Sequence, residues 1–398
     1  MTPRRPLLLQ AYLGLSRMLP SLWHGLAKQI HRHQAAKRDR FRERLGHSSI
    51  PRPSGRVIWV HAESVGEVST VASLLHDIAE HGHIVITTTT QSGAERVESL
   101  GSERILHQFK PADTPVAIGR FLDHWRPRAA VFVESDMPPV ALSILRQRGI
   151  ARALLAARPS GTRRRAPKIA AALLAEFDLV TASSQSVADE LEGLKVKVHH
   201  VEDLKAYQSA VTEPLPWSEA QRTRPIWLAV SAHPEEYDLL FAAHDHLQAR
   251  EPTALMVIAP RHPVSSRAWA PKRFAPVFFS DGHQPKDDTG LFVMDAFGHV
   301  PQLHLLSHVS FIGGSLGKRG GHSPWEAARA GSYILTGPDI ANNAPAYNGL
   351  AHEIITTPNA LADAVCKAWA APRPAPILRS AKNSQTTRAV LDMLQAQC

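Results

Sequence analysis

Cysteine is nearly absent: the 398 residues hold two, Cys366 and the last residue, Cys398. That excludes a disulfide scaffold and any thiolate-built zinc or iron–sulfur centre, and it fits a reducing compartment. Long apolar runs are missing as well. The longest uncharged run near the N-terminal end, Pro6 to Ser16, has eleven residues, where a spanning helix needs about 20. Its length would suit a secretory signal, but Gln10 interrupts the apolar stretch and no small-residue cleavage site follows, so none is expected. Metal-site spacings are lacking despite 22 histidines. His304 and His308 stand four apart without the glutamate of a zinc-protease helix, and His31/His33 and His244/His246 have no acidic partner at metal-site spacing. No P-loop, GxGxxG or GxSxG occurs, so neither ATP, NAD nor serine-hydrolase chemistry is implied by motif. Solenoid repeats and long low-complexity tracts are also absent.

What is present is a folding composition, 44% hydrophobic against 20% charged, in a chain long enough for two domains of roughly 100–200 residues each. The formal charge of +9 is local. Residues 1–55 hold eleven of the 45 Lys and Arg and two of the 36 Asp and Glu, a net +9, and the remainder carries 34 of each sign. Within this arm Leu8, Tyr12, Leu15, Leu19, Leu22, Leu26 and Ile30 recur at steps of three and four, a helical stripe with Trp23 beside it. Pro20 is expected to kink or split the helix. The stripe leads into HRHQAAKRDRFRER, residues 31–44. An apolar face followed by a basic run fits a helix lying on an anionic membrane surface; a helix docked on its own domain with a solvated basic face fits the same pattern. The body has no basic stripe and no known nucleic-acid module, so nucleic acid is not an expected partner.

From Arg56 onward, short apolar runs alternate with amphipathic stretches. Val57–Ala62, Ile84–Thr89, Ala130–Val133, Ala153–Ala156, Leu179–Ala182 and Val196–Val201 read as strands. Val68–Glu80 and Pro138–Gln147 read as helices between them. Right-handed βαβ units and a parallel doubly wound sheet follow. Residues 206–224 are polar, contain Pro214 and Pro216, and read as a linker. The alternation restarts at Ile226–Val230, Leu255–Ala259, Phe292–Met294, Val309–Ile312, Tyr333–Leu335 and Glu353–Thr356. The expected organisation is therefore an arm at 1–55, an α/β domain at 56–205, the linker, and a second α/β domain at 225–398. Ligands of such sheets bind outside the carboxyl ends of the strands.

Several motifs sit at those ends. His61 to Glu67 closes the first strand; Gly66 would let the backbone turn tightly, and Glu67 would lie in the first helical turn, as a favourable charge on the helix dipole or as a base. Glu134 and Asp136 follow the third run, as helix caps or as ligands for polar groups. Arg158 opens a stretch of four arginines ending at Arg165, a solvated face or an anion fork. Arg261 and His262 follow Leu255–Ala259, in a loop that is either an anion site or ordinary solvated surface. Gly313 to Glu326 holds five glycines with Lys318 and Arg319, then enters a helix at Pro324. Open amides and two cations there suit a phosphate or carboxylate; a flexible surface loop is the alternative.

Taken in order, these landmarks resemble the transferases that add Kdo (3-deoxy-D-manno-octulosonic acid) to a lipid A precursor. The resemblance rests on Arg42-Glu43-Arg44-Leu45-Gly46, Trp59-Val60-His61-Ala62 and Ser64-Val65-Gly66-Glu67. It continues with Thr87 to Thr90, Gly93-Ala94-Glu95, and Trp125-Arg126-Pro127. In the second half it is carried by Pro260-Arg261-His262-Pro263, Gly313-Gly314-Ser315 and Arg319-Gly320-Gly321-His322, then by Pro324, Glu326, Gly337-Pro338 and Asn342. The resemblance implies two Rossmann-like domains of GT-B type, an acceptor-binding N-terminal half and a CMP-Kdo-binding C-terminal half. It implies an inverting, metal-independent, cofactor-free transfer by a peripheral protein at the cytoplasmic face of the bacterial inner membrane. Glu67 would be the general base. Arg261, His262, Gly313, Gly314, Ser315, Arg319, Gly320, Gly321, His322, Glu326 and Asn342 would hold the nucleotide sugar. Ser64, Gly66, Glu134, Asp136, Arg158 and Lys205 would line the side of the sugar and acceptor.

Departures fall mostly on the acceptor side. Glu134-Ser135-Asp136-Met137-Pro138-Pro139 stands for Glu-Thr-Glu-Leu-Trp-Pro, and Ala156-Ala157-Arg158-Pro159-Ser160 for Asn-Ala-Arg-Leu-Ser. Glu202-Asp203-Leu204-Lys205 stands for Gly-Asn-Leu-Lys, Ser231-Ala232-His233 with Glu235-Glu236 for Ser-Thr-His with Gly-Glu, and Ser323 for the Asn of Gly-Gly-His-Asn-Pro. Such a pattern suits a divergent paralogue, one using another acceptor or donor sugar or binding at the membrane without turnover.

Overall fold

The computed structural model describes residues 6–18, 40–134, 137–158, 161–208, 214–216, 221, 223–263, 266–296 and 298–396. The chain divides into two units, one of Met1–Gln208 with Ser380–Cys398 and one of Ser209–Arg379.

The first unit carries seven parallel strands: β1 Val57–His61, β2 His83–Thr88, β3 Ile105–Phe109, β4 Ala129–Val133, β5 Ala151–Ala157, β6 Leu179–Ala182 and β7 His200–Val201. Their order across the sheet is β3-β2-β1-β4-β5-β6-β7. Helices cover both faces, so strands such as β1 and β5 are buried throughout and read as continuous apolar runs. The helix Val65–Ala79 shows how one face is filled. Ser64 caps its first turn, and Val68, Val71, Leu75 and Ile78 recur at helical spacing and are buried against Ile58, Val60 and Ile84. The chain runs outward from β1 to β3, then returns to β4 and runs the other way. β1 and β4 are therefore neighbours whose onward connections diverge, the place where such sheets open a crevice at their carboxyl ends.

The second unit repeats the plan with β8 Ile226–Ala232, β9 Leu255–Pro260, β10 Val277–Phe278, β11 Leu291–Val293, β12 Val309–Ile312, β13 Tyr333–Thr336 and β14 His352–Ile354, in the order β10-β11-β9-β8-β12-β13-β14. Its divergence falls between β8 and β12. The expected doubly wound α/β class holds in both units.

Three expectations change. β3 and β10 were not expected, because β3 contains His107 and Gln108 and β10 is two residues long. The C-terminal residues do not belong with the second unit. The helix Gln385–Gln395 packs Val390, Leu391 and Leu394 into the first unit's core beside Ile58 and Val60. Glu202 anchors its start, accepting from Ser384 Oγ at 2.6 Å and from the Thr386 amide at 3.1 Å. Finally, the helix Leu7–Met18 buries Leu9, Leu13 and Ser16, with Tyr12 partly buried beside them, against the helix Pro139–Gln147. Leu8 and Leu15 of the expected stripe face outward. The rest of that stripe, Pro20 and the basic residues up to Asp39 lie outside the described residues.

Candidate functional site

In the first unit the sequence-derived residues gather at the carboxyl ends of β1, β4 and β5. Ser64 is the N-cap of the helix Val65–Ala79 and accepts from the Glu67 amide at 3.5 Å. Glu67 is buried, and one of its carboxylate oxygens accepts the Glu63 amide at 2.7 Å. The side chain is thereby fixed over the turn that enters the helix, as a cap and as a positioned carboxylate at once. Gly66 lies in ordinary helical backbone, where an added Cβ would meet only Ser64 Oγ at 3.8 Å. It leaves the helix entrance bare and makes no tight turn, contrary to the expectation from sequence.

Glu134 follows β4 directly with φ +63°. A left-handed, non-glycine residue costs on the order of 1 kcal/mol and marks functional sites more than it should by chance. Its Oε1 lies 2.9 Å from Arg158 Nε, just past β5, and 3.5 Å from the Thr70 hydroxyl. Thr70 sits three residues after Glu67 and also donates to the Gly66 carbonyl at 2.9 Å. Thr70 thus ties the Glu67 turn to the Glu134–Arg158 pair, a link that only helical spacing could have signalled. Lys205 lies on the short helix Leu204–Tyr207 after β7, which packs against the Glu67 helix through Leu204 and a bond from Ser73 Oγ to the Tyr207 carbonyl. Asp136 lies outside the described residues.

In the second unit the site residues surround the ends of β8 and β12. Gly313 cannot be replaced, since a Cβ there would stand 2.6 Å from the Ser231 carbonyl and 2.8 Å from Glu236. The amides expected to await a phosphate are already taken. Glu236 is fully buried, and its two oxygens accept from Gly314 at 2.8 Å, Ser315 at 3.0 Å and Leu316 at 3.1 Å, and from the His233 amide at 2.9 Å. The protein's own carboxylate occupies the nest, so Gly314 and Ser315 build the loop and do not offer open N–H groups. The Ser315 hydroxyl is likewise spent, donating to Ile312 and accepting from Gly337, both at 2.7 Å. The Gly320 amide donates to Asp339 at 2.7 Å. Asn342 clamps the same loop through Nδ2 to the Arg319 carbonyl at 2.6 Å and its own amide to the Gly320 carbonyl. The Gly321 amide donates to the Gly314 carbonyl.

What the loop presents outward is side chains. Arg261, His262 and Lys318 are exposed. Arg319 is exposed and paired with Glu235, with Nη2 to Oε2 at 3.4 Å. His233 and His322 lie coplanar with their Nε2 atoms 3.0 Å apart, and the His262 ring stands 5.9 Å from His233. Burial, then the Arg319 charge, holds His233 below its ordinary pKa and so favours its neutral form beside His322. Glu326 opens the short helix Trp325–Ala330. The site is thus a tight loop sealed from within by Glu236 and edged by three imidazoles and three cations, an arrangement suited to an anionic ligand. Glu236 and His233 figured in the sequence only as the retained His and Glu of a motif that departs at Ala232 and Glu235. Their place, an acid following Pro234 at a strand's carboxyl end, was the available signal.

The Arg42-Glu43-Arg44 motif works inside the first unit. Glu43 accepts from Arg40 Nε at 2.8 Å, Ser49 Oγ at 2.5 Å and the Phe109 amide at 2.7 Å; Arg44 is buried and donates to the Thr89 carbonyl. These bonds splice the segment onto β2 and β3. The tempting histidines are structural as well. His304 binds Ser310, His308 the Ala368 carbonyl, and His244 the Gly290 carbonyl.

A family model described as 3-deoxy-D-manno-octulosonic-acid transferase (kdotransferase) matches residues 39–208. A 3-deoxy-D-manno-octulosonic acid transferase of Haemophilus influenzae is 29% identical over 334 residues, covering 77% of this chain and 78% of the relative. One from Bordetella pertussis is 26% identical over 355 residues, 83% of each chain. Among solved structures, a UDP-N-acetylglucosamine 2-epimerase aligns with TM-score 0.57 at 11% identity, covering 87% of this chain and 96% of that one. A glycosyltransferase of Rickettsia africae aligns with TM-score 0.53 at 12% identity, covering 87% and 93%. At such identities the structures speak for the fold, the two-domain GT-B architecture.

Proposed function

We propose that this chain, a glycosyltransferase of the 3-deoxy-D-manno-octulosonic acid transferase family, moves Kdo from CMP-Kdo to a lipid A precursor with inversion. The observation that carries the reading is Glu67, a carboxylate held by a backbone amide at the divergence of β1 and β4, next to the Glu134–Arg158 pair. One oxygen is fixed by the Glu63 amide. In the proposed step the carboxylate takes the proton from an acceptor hydroxyl as that oxygen attacks the anomeric carbon of Kdo. The carbon–oxygen bond to CMP breaks on the opposite face, and the electron pair leaves with the phosphate. The leaving group is a monophosphate, so cationic side chains suffice for it and no metal clamp is required. Arg261, Lys318 and Arg319 are the groups that would neutralise the nucleotide phosphate and the Kdo carboxylate, with His262 and His322 beside them as hydrogen-bonding groups. The amides of Gly314 and Ser315 are not assigned to this task. Arg158 would bind the acceptor side, in exchange for part of its contact with Glu134.

The acceptor is a lipid, so the protein must reach a membrane surface. No described helix is long and apolar enough to cross a membrane. The helix Leu7–Met18 exposes Leu7, Leu8, Leu15 and Met18 at 82, 76, 54 and 80%, and the sequence that follows it carries Lys28, Arg32, Lys37 and Arg38 against the single acid Asp39. This supports peripheral attachment to an anionic leaflet.

The test is transfer from CMP-Kdo to a lipid A precursor in mixed micelles, followed by CMP release and by the anomeric configuration of the product. Wild-type protein releases CMP only with acceptor present, and Glu67→Gln loses on the order of a hundredfold to ten-thousandfold of kcat. A wild-type protein that binds CMP-Kdo yet turns over none of a panel of lipid acceptors is a silent binder, and the reading fails. Equal turnover by Glu67→Gln removes Glu67 as base while leaving the transferase assignment in place.

A further inference from the structure

A second concave surface belongs to the first unit alone. The loop Gly46–Ser49 and the helix Pro115–Trp125 enclose a groove of about 630 Å³, within the range of roughly 300–1,000 Å³ common for small-molecule sites. The loop is pressed onto the helix by construction. Gly46 has φ +84°, and a Cβ there would collide with the Ala117 carbonyl.

The lining is basic and its charge is not cancelled. Arg42 and Arg120 border the groove together with His47 and His124. Both arginines are exposed, and neither forms an ion pair among the described residues. His47 Nε2 stands 3.4 Å from Arg120 Nη1. Burial, then the charges of Arg120 and Arg42, lower the His47 pKa, so both guanidiniums act on this imidazole while it offers Arg120 only a neutral acceptor. Two acids touch the groove, and both are engaged elsewhere. Glu43 is buried and shared among Arg40, Ser49 and the Phe109 amide. Asp123 pairs with Arg148 at 2.7 Å. Two unpaired guanidiniums converging on one cavity repel each other unless an anion lies between them, and the guanidinium fork matches phosphate oxygens.

We propose that this groove is a phosphate-binding site, with Arg42 and Arg120 gripping the oxygens of a phosphomonoester beside His47. The site is separate from the donor and acceptor residues above and stands whether or not the chain transfers Kdo. The phosphate reaches it either on a lipid headgroup, since the exposed leucines of Leu7–Met18 belong to the same unit, or as a soluble phosphate.

The test uses the full chain in titration calorimetry with inorganic phosphate, and co-sedimentation with vesicles of phosphatidylcholine alone or mixed with phosphatidate. The double variant Arg42→Gln/Arg120→Gln binds its phosphate ligand more weakly by roughly tenfold or more, since two charge-assisted contacts are lost. Arg388→Gln, an exposed arginine outside the groove, binds as wild type. Weakening confined to phosphatidate vesicles assigns the site to a headgroup; weakening confined to inorganic phosphate assigns it to a soluble ligand. The proposal is overturned if the double variant matches wild type in both arms, if wild type binds neither ligand, or if Arg388→Gln weakens binding equally. Should the double variant melt early, the single variants Arg42→Lys and Arg120→Lys keep the charge and lose the fork. Their binding falls if the site is real and stays level if it is not.

Discussion

Glu236 spans the divergence of β8 and β12: from the end of β8 its carboxylate accepts the amides of Gly314 and Ser315 at 2.8 and 3.0 Å. The bond set is completed by Leu316 and His233, so one fully buried side chain satisfies four backbone donors. Removing it strands those donors without water. Glu236→Ala is expected to destabilise the second unit by on the order of 4 kcal/mol, given about 1–3 kcal/mol per orphaned buried group and partial relaxation. Glu236→Gln recovers part of this, because one amide oxygen still accepts. Urea unfolding measures the loss, and hydrogen exchange at Gly314 to Leu316 locates it. Unchanged exchange at those amides in the Ala variant contradicts the assignment.

Glu202 plays the corresponding part for the C-terminal helix. It accepts from Ser384, the Gln385 and Thr386 amides and the Tyr207 hydroxyl. Burial pushes its pKa up, but the hydrogen bonds from Ser384, Tyr207 and Thr386 outweigh burial and leave it below the ordinary carboxylate value. The sign follows: the carboxylate form is favoured by folding, so its stabilisation is present at neutral pH and fades as pH falls through the carboxylate range. Glu202→Gly, which restores the residue usual in the family resemblance, is expected to release the helix Gln385–Gln395. Proteolysis near Ser380 reports the release, and a variant as resistant as wild type speaks against it.

The plan of two parallel sheets was legible because strands such as Val57–His61 are buried on both faces and leave unbroken apolar runs. Strand β3 was not, because His107 and Gln108 interrupt the run, although the fold pairs both: Gln108 accepts the Trp125 indole at 2.7 Å. The positions of Glu67, Glu134 and Arg158 at strand ends could be read from spacing. The closing of the Gly314–Ser315 amides by Glu236 could not, since it joins residues nearly eighty positions apart and depends on β8 lying beside β12. The return of Ser380–Cys398 to the first unit was hidden for the same reason: an amphipathic helix states which face it buries, not against which sheet.

His107 offers a pH test. Its Nδ1 faces Arg40 Nη2 and its Nε2 faces the Thr88 hydroxyl, both at 2.9 Å. Burial, then the charges of Arg40 and Arg44, lowers its pKa to about 3. The unfolded chain takes up this proton near pH 6.5 and the folded chain does not until about pH 3. The unfolded state therefore binds more protons throughout that window, and stability falls as pH falls, by at most about 1.4 kcal/mol per pH unit. His244 and His304, lowered to about 4 by burial, act with the same sign in the second unit. Between pH 7 and pH 5 wild type is expected to lose on the order of 2 kcal/mol more than His107→Gln. Equal losses in denaturant unfolding at the two pH values refute the buried neutral state.

The helix Leu7–Met18 separates two kinds of leucine. Leu9 and Leu13 are packed on the helix Pro139–Gln147, whereas Leu8 and Leu15, seven residues apart and so in line along the helix, are exposed. If the outer face meets lipid, Leu8→Ser/Leu15→Ser keeps the wild-type melting temperature and loses sedimentation with anionic vesicles. Each buried leucine contributes about 1.5–3 kcal/mol of transfer free energy, so the pair should weaken partitioning by two orders of magnitude or more. Leu13→Ala is expected to do the reverse in order of cause: it undocks the helix first, seen as faster exchange across Leu7–Met18, and lowers vesicle binding only through that. Vesicle binding that survives Leu8→Ser/Leu15→Ser while the fold is intact would show that the leucine face is bystander surface, leaving attachment to the basic residues alone.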